Sequence, residues 1–236
     1  MDKKLVRELR QELAQSADER YCASLQRFFR EPIDAYGVRT ADVRRISKQY
    51  FSRVKILPRG EVFELCELLH RGGKSEEHGI AFSWAGRLSA QFTPGDFRTF
   101  ERWLKDYVSN WAACDNLCTG PLGEFLLKFR EFLPRAKKWT SSANRWVRRA
   151  SAVALIPAAH KEQYLDEAFA TADALLCDED DMVQKGYGWL LKEISNRRPR
   201  EVFDFVMKRK ATMPRTALRY AIEKLPPTRK KQAMAK

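Results

Sequence analysis

Apolar positions fall at helical spacing over almost the whole chain. Leu5, Leu9 and Leu13 repeat against Lys and Arg in residues 3–15, and Tyr21, Leu25, Phe28 and Phe29 do so in 19–30. The stretch EPIDAYGVRT, 31–40, carries Pro and Gly punctuation and opens a helix over 40–51 from Thr40. Pro58 begins another, with Val62, Phe63, Cys66 and Leu69 on one face, and Gly72-Gly73 ends it. Helices follow at 75–91, from Thr93 with its Pro in the first turn, and through the central segment 108–130. Others are expected at 131–139, 141–159, 161–176 and 180–195. Pro199 starts one that runs to Lys210, and Pro214 starts the last, which stops at Leu225-Pro226-Pro227. No segment has the β-branched alternation of a strand.

About twelve helices of roughly 10 to 18 residues, joined by short turns, predict an all-α fold. The expected architecture is a HEAT-like helical repeat solenoid, an α-α superhelix with a concave basic surface, in which each repeat buries its apolar stripe against the next. No tetratricopeptide or ankyrin signature is visible, and an irregular helical bundle is the alternative. One repeat domain is expected over 1–228, followed by a basic C-terminal tail at 229–236. From Lys208 onward the only acid is Glu223. The tail reads as a solvated end or as an arm lying along a phosphate backbone.

Charge narrows the partner. The 236 residues hold 44 Lys and Arg against 31 Asp and Glu, a formal +13, which predicts association with a polyanion, ordinarily nucleic acid. No apolar run approaches the roughly 18 residues of a membrane span. The opening MDKKLVRELRQEL is charged and lacks a signal-peptide core, so a cytoplasmic protein is expected. The cysteines at 22, 66, 114, 118 and 177 and the histidines at 70, 78 and 160 form no ligand cluster of known spacing. They read as reduced and metal-free.

Candidate chemistry centres on the segment 108–130. Asp115 lies four residues after Trp111, so on a helix the carboxylate and the indole share a face, while Leu117, Leu122, Phe125, Leu126 and Phe129 supply a face to bury. The plainer alternative makes Asp115 a cap or an ion-pair partner of an Arg, and Trp111 core. Two later segments also set Trp beside cations: Trp146 with Arg145, Arg148 and Arg149, and Trp189 with Lys185 and Lys192. In a stacked-helix array, corresponding faces line one surface, so these segments are candidates for one cleft. Arg148 and Arg149 differ by about 100° around a helix, so one is free to bind phosphate while the other supports Asp115 or an acid elsewhere. Spacing does not choose between them. Arg197 and Arg198 add charge near the same edge.

Four strings in order resemble the DNA alkylation repair family of HEAT-like DNA glycosylases: YGVRTADVRRI at 36–46, SNWAACDNLC at 109–118 with LGEF at 122–125, NRWVRRASAV at 144–153 and VQKGYGWLLKEI at 183–194. The resemblance covers nearly the whole chain. It implies hydrolysis of the N-glycosidic bond of cationic N3- or N7-alkylpurines in duplex DNA, with the lesion approached while stacked. It further implies that Asp115 is the catalytic carboxylate, that Trp111 and Trp189 flank the deoxyribose, and that Arg148 or Arg149 contacts phosphate. Arg145, Lys185, Lys192, Arg197 and Arg198 would add backbone contacts. No cofactor is expected, and a monomer suffices.

Two departures from the family pattern stand out. Active relatives commonly carry Trp-Asp in the central motif, whereas Trp111 is followed by Ala112 and Ala113. Where relatives can carry a Tyr on the second helix, this chain offers Phe28 or Phe29. The alternatives are therefore a noncatalytic binder of damaged or branched DNA, and a helical-repeat scaffold for protein partners. Convergence of Trp111, Asp115 and Trp189 in one cleft, with Asp115 open, favours the enzyme. Burial of Asp115 against an Arg favours the binder.

Overall fold

The computed structural model describes residues 3–235, which are helix, turn and loop with no strand among them. The N-terminal part comprises α1 (Lys3–Gln15), α2 (Glu19–Leu25), α3 (Thr40–Val54) and α4 (Arg59–His70). The middle holds α5 (Ser75–Gly86), α6 (Asp96–Asp106), α7 (Trp111–Thr119), α8 (Pro121–Lys128), α9 (Leu133–Lys137), α10 (Arg145–Val153), α11 (Ile156–His160) and α12 (Leu165–Ala174). The C-terminal part is α13 (Asp181–Ser195), α14 (Pro199–Arg209), α15 (Arg215–Ala221) and α16 (Pro227–Met234). None of these helices is long and apolar enough to cross a membrane.

Their packing follows chain order. The helices α1, α3, α5, α7, α10, α13 and α15 each touch the next, forming one layer. Against it lie α4 on α5, α8 on α7, and α12 and α14 on α13, with α16 on α14. This order is consistent with a helical-repeat fold. An aromatic cluster of Phe63, Phe92, Phe100, Trp103 and Phe125 joins α4, α6 and α8. Each such side chain contributes about 1.5–3 kcal/mol by burial, which fixes these helices against one another.

Several expected helices divide, for local reasons. The central segment breaks at Gly120, where a Cβ would sit 2.6 Å from the Asn116 carbonyl oxygen, and Pro121 opens α8. The 141–159 stretch breaks after Val153, because Pro157 has no N–H to return to the Val153 carbonyl. The helix expected from Thr93 begins at Asp96, whose carboxylate accepts from the Thr93 amide at 2.7 Å. Residues 26–30 leave the helical path: α2 buries no residue, a 3-10 turn covers Gln26–Phe28, and Phe29 is extended.

The residues of the expected basic tail are helical through Met234. Helix α16 buries Ala233 and sets the Arg229 guanidinium 5.2 Å from the Phe203 ring centroid. Lys236 lies outside the described residues.

The YGVRT string is structural. Gly37 adopts φ +84, where a Cβ would meet Cys22 Cβ at 2.6 Å. That turn aims the amides of Tyr36, Gly37 and Val38 at the buried Glu76 carboxylate, at 3.0, 2.8 and 3.0 Å. Beside it, Arg10 and the Tyr36 hydroxyl donate to Glu77 at 2.7 Å each. A buried carboxylate is tolerated only when its lone pairs are taken, and here they are. The loop before α3 is thereby bolted to α5, which carries residues 26–31 over the neighbouring helices.

Candidate active site

Three helices with sequence-encoded starts form the site. Asn110 caps α7 by accepting from the Ala113 amide, Asn144 caps α10 through Trp146, and Asp180 caps α13 through Met182 and Val183. Two glycines let α13 lie close to its neighbours. A Cβ on Gly186 would stand 3.0 Å from Arg149 Cγ, and one on Gly188 would stand 2.7 Å from Tyr220 Cβ. The GYG of the fourth string therefore brings Arg149 of α10 and Tyr220 of α15 up to α13.

Between these helices lies a cleft of about 400 Å³, lined by Phe28, Trp111, Asp115, Arg149, Met182, Lys185, Trp189, Lys192 and Tyr220. Trp111, Asp115 and Trp189 thus line one cleft. Asp115 is not open in the simple sense. Arg149 donates from Nε to Oδ1 and from Nη2 to Oδ2, each at 3.0 Å, and from Nη1 to the Met182 carbonyl at 2.6 Å. The Asp115 side chain keeps 19% exposure and Arg149 6%. Burial pushes the Asp115 carboxyl above its usual value, and the Arg149 charge and hydrogen bonds oppose that shift. Each carboxylate oxygen retains acceptor capacity beyond one Arg contact, so the group still offers lone pairs to the cleft.

The two indoles are each held by a hydrogen bond from Nε1. Trp111 Nε1 donates to the Phe28 carbonyl at 3.1 Å, and its ring stacks on Phe29 with centroids 5.2 Å apart and planes 12° apart. Trp189 Nε1 donates to Glu193 at 2.9 Å, and Glu193 is also held by His160 at 3.0 Å. Phe28, with Phe29 a candidate DNA contact in the sequence, is 69% exposed at the mouth and offers its ring to the cleft.

The predicted cations separate into two groups. Arg149 is the support of Asp115. Arg148 points elsewhere, to Asp178 at 2.7 Å and to the Ser142 carbonyl at 2.9 Å. Lys185 and Lys192 line the cleft, paired with Asp181 at 3.2 Å and Glu223 at 3.1 Å. Arg145 is held by Glu31 at 3.2 Å and Asp180 at 2.8 Å, with its guanidinium 5.0 Å from the Trp146 ring. Trp146 itself is core, so the second tryptophan segment supplies an arginine and no indole. Arg198 pairs with Glu162 at 2.8 Å, Arg197 is exposed, and neither lines the cleft.

Sequence reasoning did not single out Met182 or Tyr220. The close-packing glycine at 188 is the only local signal that a side chain from another helix is seated there. Every described cysteine is free, and Cys114 and Cys118 lie buried beneath the site with sulfurs 3.9 Å apart.

An all-helical chain with a carboxylate held by an arginine between two indoles defines a class with a specific acid site. The model of the family described as DNA alkylation repair enzyme matches residues 9–225, and the chain belongs to that family. A solved structure from Enterococcus faecalis, described as a predicted DNA alkylation repair enzyme, is similar with a TM-score of 0.80 and 16% identity. That likeness covers 90% of this chain and 98% of the other. The smu.31 protein of Streptococcus mutans UA159 is similar with a TM-score of 0.53 at 20% identity, over 82% of this chain and 94% of that one. At these identities the two structures show the shared fold alone. No curated protein matches.

Proposed function

We propose that the chain is a monofunctional DNA glycosylase that hydrolyses the N-glycosidic bond of cationic N3- or N7-alkylated purines in duplex DNA. On this reading the stacked helices form a HEAT-like solenoid, acting as a monomer, whose concave face receives the duplex. One observation carries the proposal: the Asp115 carboxylate faces a cleft between Trp111 and Trp189, oriented by both arms of Arg149.

The chemistry suits that arrangement. An alkylated purine already carries positive charge, so the C1′–N bond breaks with its electron pair leaving on a neutral base, and no strong general acid is required. Positive charge then develops on the deoxyribose as an oxocarbenium ion. A fixed carboxylate stabilises it there without reorganisation, and orients the water that attacks C1′. That water's proton passes to the carboxylate or to solvent. Indole faces attract the same cation and exclude bulk water. Selection comes from the charge and lability of the lesion, so readout of base edges is not needed.

The test is single-turnover release of free base from a duplex containing one N7-methylguanine, with Asp115→Asn run beside the parent. We expect a loss of about 10²- to 10³-fold in the variant, the range for removing one preorganised electrostatic group, with duplex affinity retained. A folded parent that binds the duplex and releases no alkylated base would remove the reading. The second reading, a noncatalytic binder of damaged or branched DNA, is favoured by one feature: Arg149 occupies both oxygens of Asp115. It requires equal duplex affinity and no release from either protein.

A further inference from the structure

The cations lining the cleft are already neutralised, by Asp115, Asp181 and Glu223. A strand entering the cleft therefore meets few unpaired positive charges there. A second cavity, of about 520 Å³, has the opposite character. It lies where α13 ends and α14 begins and where α15 passes into α16, bounded by Arg200, Lys224 and Arg229 with Asn196 and Thr228. No Asp or Glu lines it. Arg200 and Lys224 pair with no acid among the described residues, and Arg229 contacts the Phe203 ring but no carboxylate.

Three unneutralised cations around one concavity repel one another, at a cost that salt only partly screens. A compact anion with several acceptor oxygens removes that repulsion, and two of the cations carry planar guanidinium forks suited to phosphate. Position supplies the source. Asn196 is seven residues beyond Trp189 on α13, about 10 Å at 1.5 Å per residue. A strand passing Trp189 reaches that point within a few nucleotides.

We propose that the cavity of Arg200, Lys224 and Arg229 binds a backbone phosphate of the DNA strand that runs through the cleft. The proposal rests on the DNA reading above and adds a contact outside the cleft. It assigns Arg229, the first residue of the expected basic tail, to a folded site.

Binding of a labelled unmodified duplex, measured over a range of salt, tests it. The triple variant Arg200→Gln/Lys224→Gln/Arg229→Gln is compared with the parent and with a control losing equal charge at the other end, Lys4→Gln/Lys48→Gln/Lys55→Gln. One phosphate contact corresponds to about 0.9 in the slope of log affinity against log salt. The expected result is a slope reduced by about that amount relative to the control, with all three proteins melting alike. A triple variant whose slope matches the control overturns the site alone. A parent with no salt-dependent duplex affinity overturns the DNA reading and this site together. If the cavity binds inorganic phosphate at fixed ionic strength while the duplex slope does not change, it is a free-anion site, and the proposal is wrong.

Discussion

Arg149 grips both oxygens of Asp115 at 3.0 Å and does so from beneath Gly186, whose missing side chain leaves room for the Arg149 stem. This pair sets the expected pH response. Burial raises the Asp115 pKa and Arg149 lowers it. If catalysis needs the carboxylate, the rate falls as pH falls through a midpoint above the ordinary Asp value. Replacing Arg149 by Gln removes the opposing influence, so that midpoint moves to higher pH, and the rate at neutral pH drops. Single-turnover pH profiles of parent and Arg149→Gln check this. Superimposed acid limbs would show that Asp115 is not the titrating group.

Gly188 gives a packing prediction. An added Cβ meets Tyr220 Cβ at 2.7 Å and the Ala217 carbonyl oxygen at 3.0 Å, and backbone cannot swing aside as a flexible side chain can. Gly188→Ala is expected to destabilise by about 1–3 kcal/mol, the usual cost of overpacking. It should also lower excision beyond what lost stability explains, because Tyr220 and Trp189 shift across the cleft. Gly60→Ala is the contrast: nothing lies within 4 Å, so it is expected to be neutral or to stabilise by up to about 1 kcal/mol. Denaturant midpoints separate the two, and equal values would refute the close-approach argument.

Much of the site was legible because its parts are local. Trp111 and Asp115 share a helical face, as do Lys185, Trp189 and Lys192, and i,i+4 spacing alone aligns such side chains. What spacing could not decide was registration between helices. Arg148 and Arg149 are equivalent candidates in the sequence, and only the approach of α13 and α7 to α10 sends one to Asp178 and the other to Asp115. The same holds for Tyr220, which reaches the cleft from α15 across a glycine. Residues 26–30 keep helical apolar spacing, yet α2 ends at Leu25 and a 3-10 turn follows. Phe29 stacks on Trp111 and Phe28 stands at the cleft mouth.

That segment forms a strap across the site. Besides the Phe29–Trp111 stack, Arg30 pairs with Asp181 at 3.0 Å and Glu31 with Arg145 at 3.2 Å. Asp181 also holds Lys185. These pairs are partly exposed, so each contributes at most about 1 kcal/mol to stability. Their larger effect is electrostatic, since Asp181 repels a strand and occupies three cations, Arg30, Arg145 and Lys185. Asp181→Asn is therefore expected to tighten duplex binding severalfold with little change in thermal stability. Affinity measured at low salt provides the check, and unchanged or weaker binding would show that these cations do not face DNA.

His70 and His78 set an acid limit on the fold. Their Nδ1 atoms lie 2.9 Å apart, and His70 is packed by Phe82, Trp103 and Tyr107, with Nε2 buried and lacking a hydrogen-bond partner. Burial lowers the His70 pKa from 6.5 to about 2, with the His78 charge adding to the effect. His78 is also lowered by burial, against an opposing influence from Glu77. Below pH 6.5 the unfolded chain takes up a proton on His70 that the folded chain refuses until about pH 2. Stability is therefore full above pH 6.5 and declines as pH falls through that window, by up to about 1.4 kcal/mol per pH unit for one such group. Urea unfolding followed from about pH 8 to about pH 5 reads this slope directly. His70→Phe keeps an aromatic in the cluster and removes the proton site, so its profile should be shallower by about that amount even if its stability at neutral pH differs. Identical slopes for parent and variant would place the acid sensitivity elsewhere.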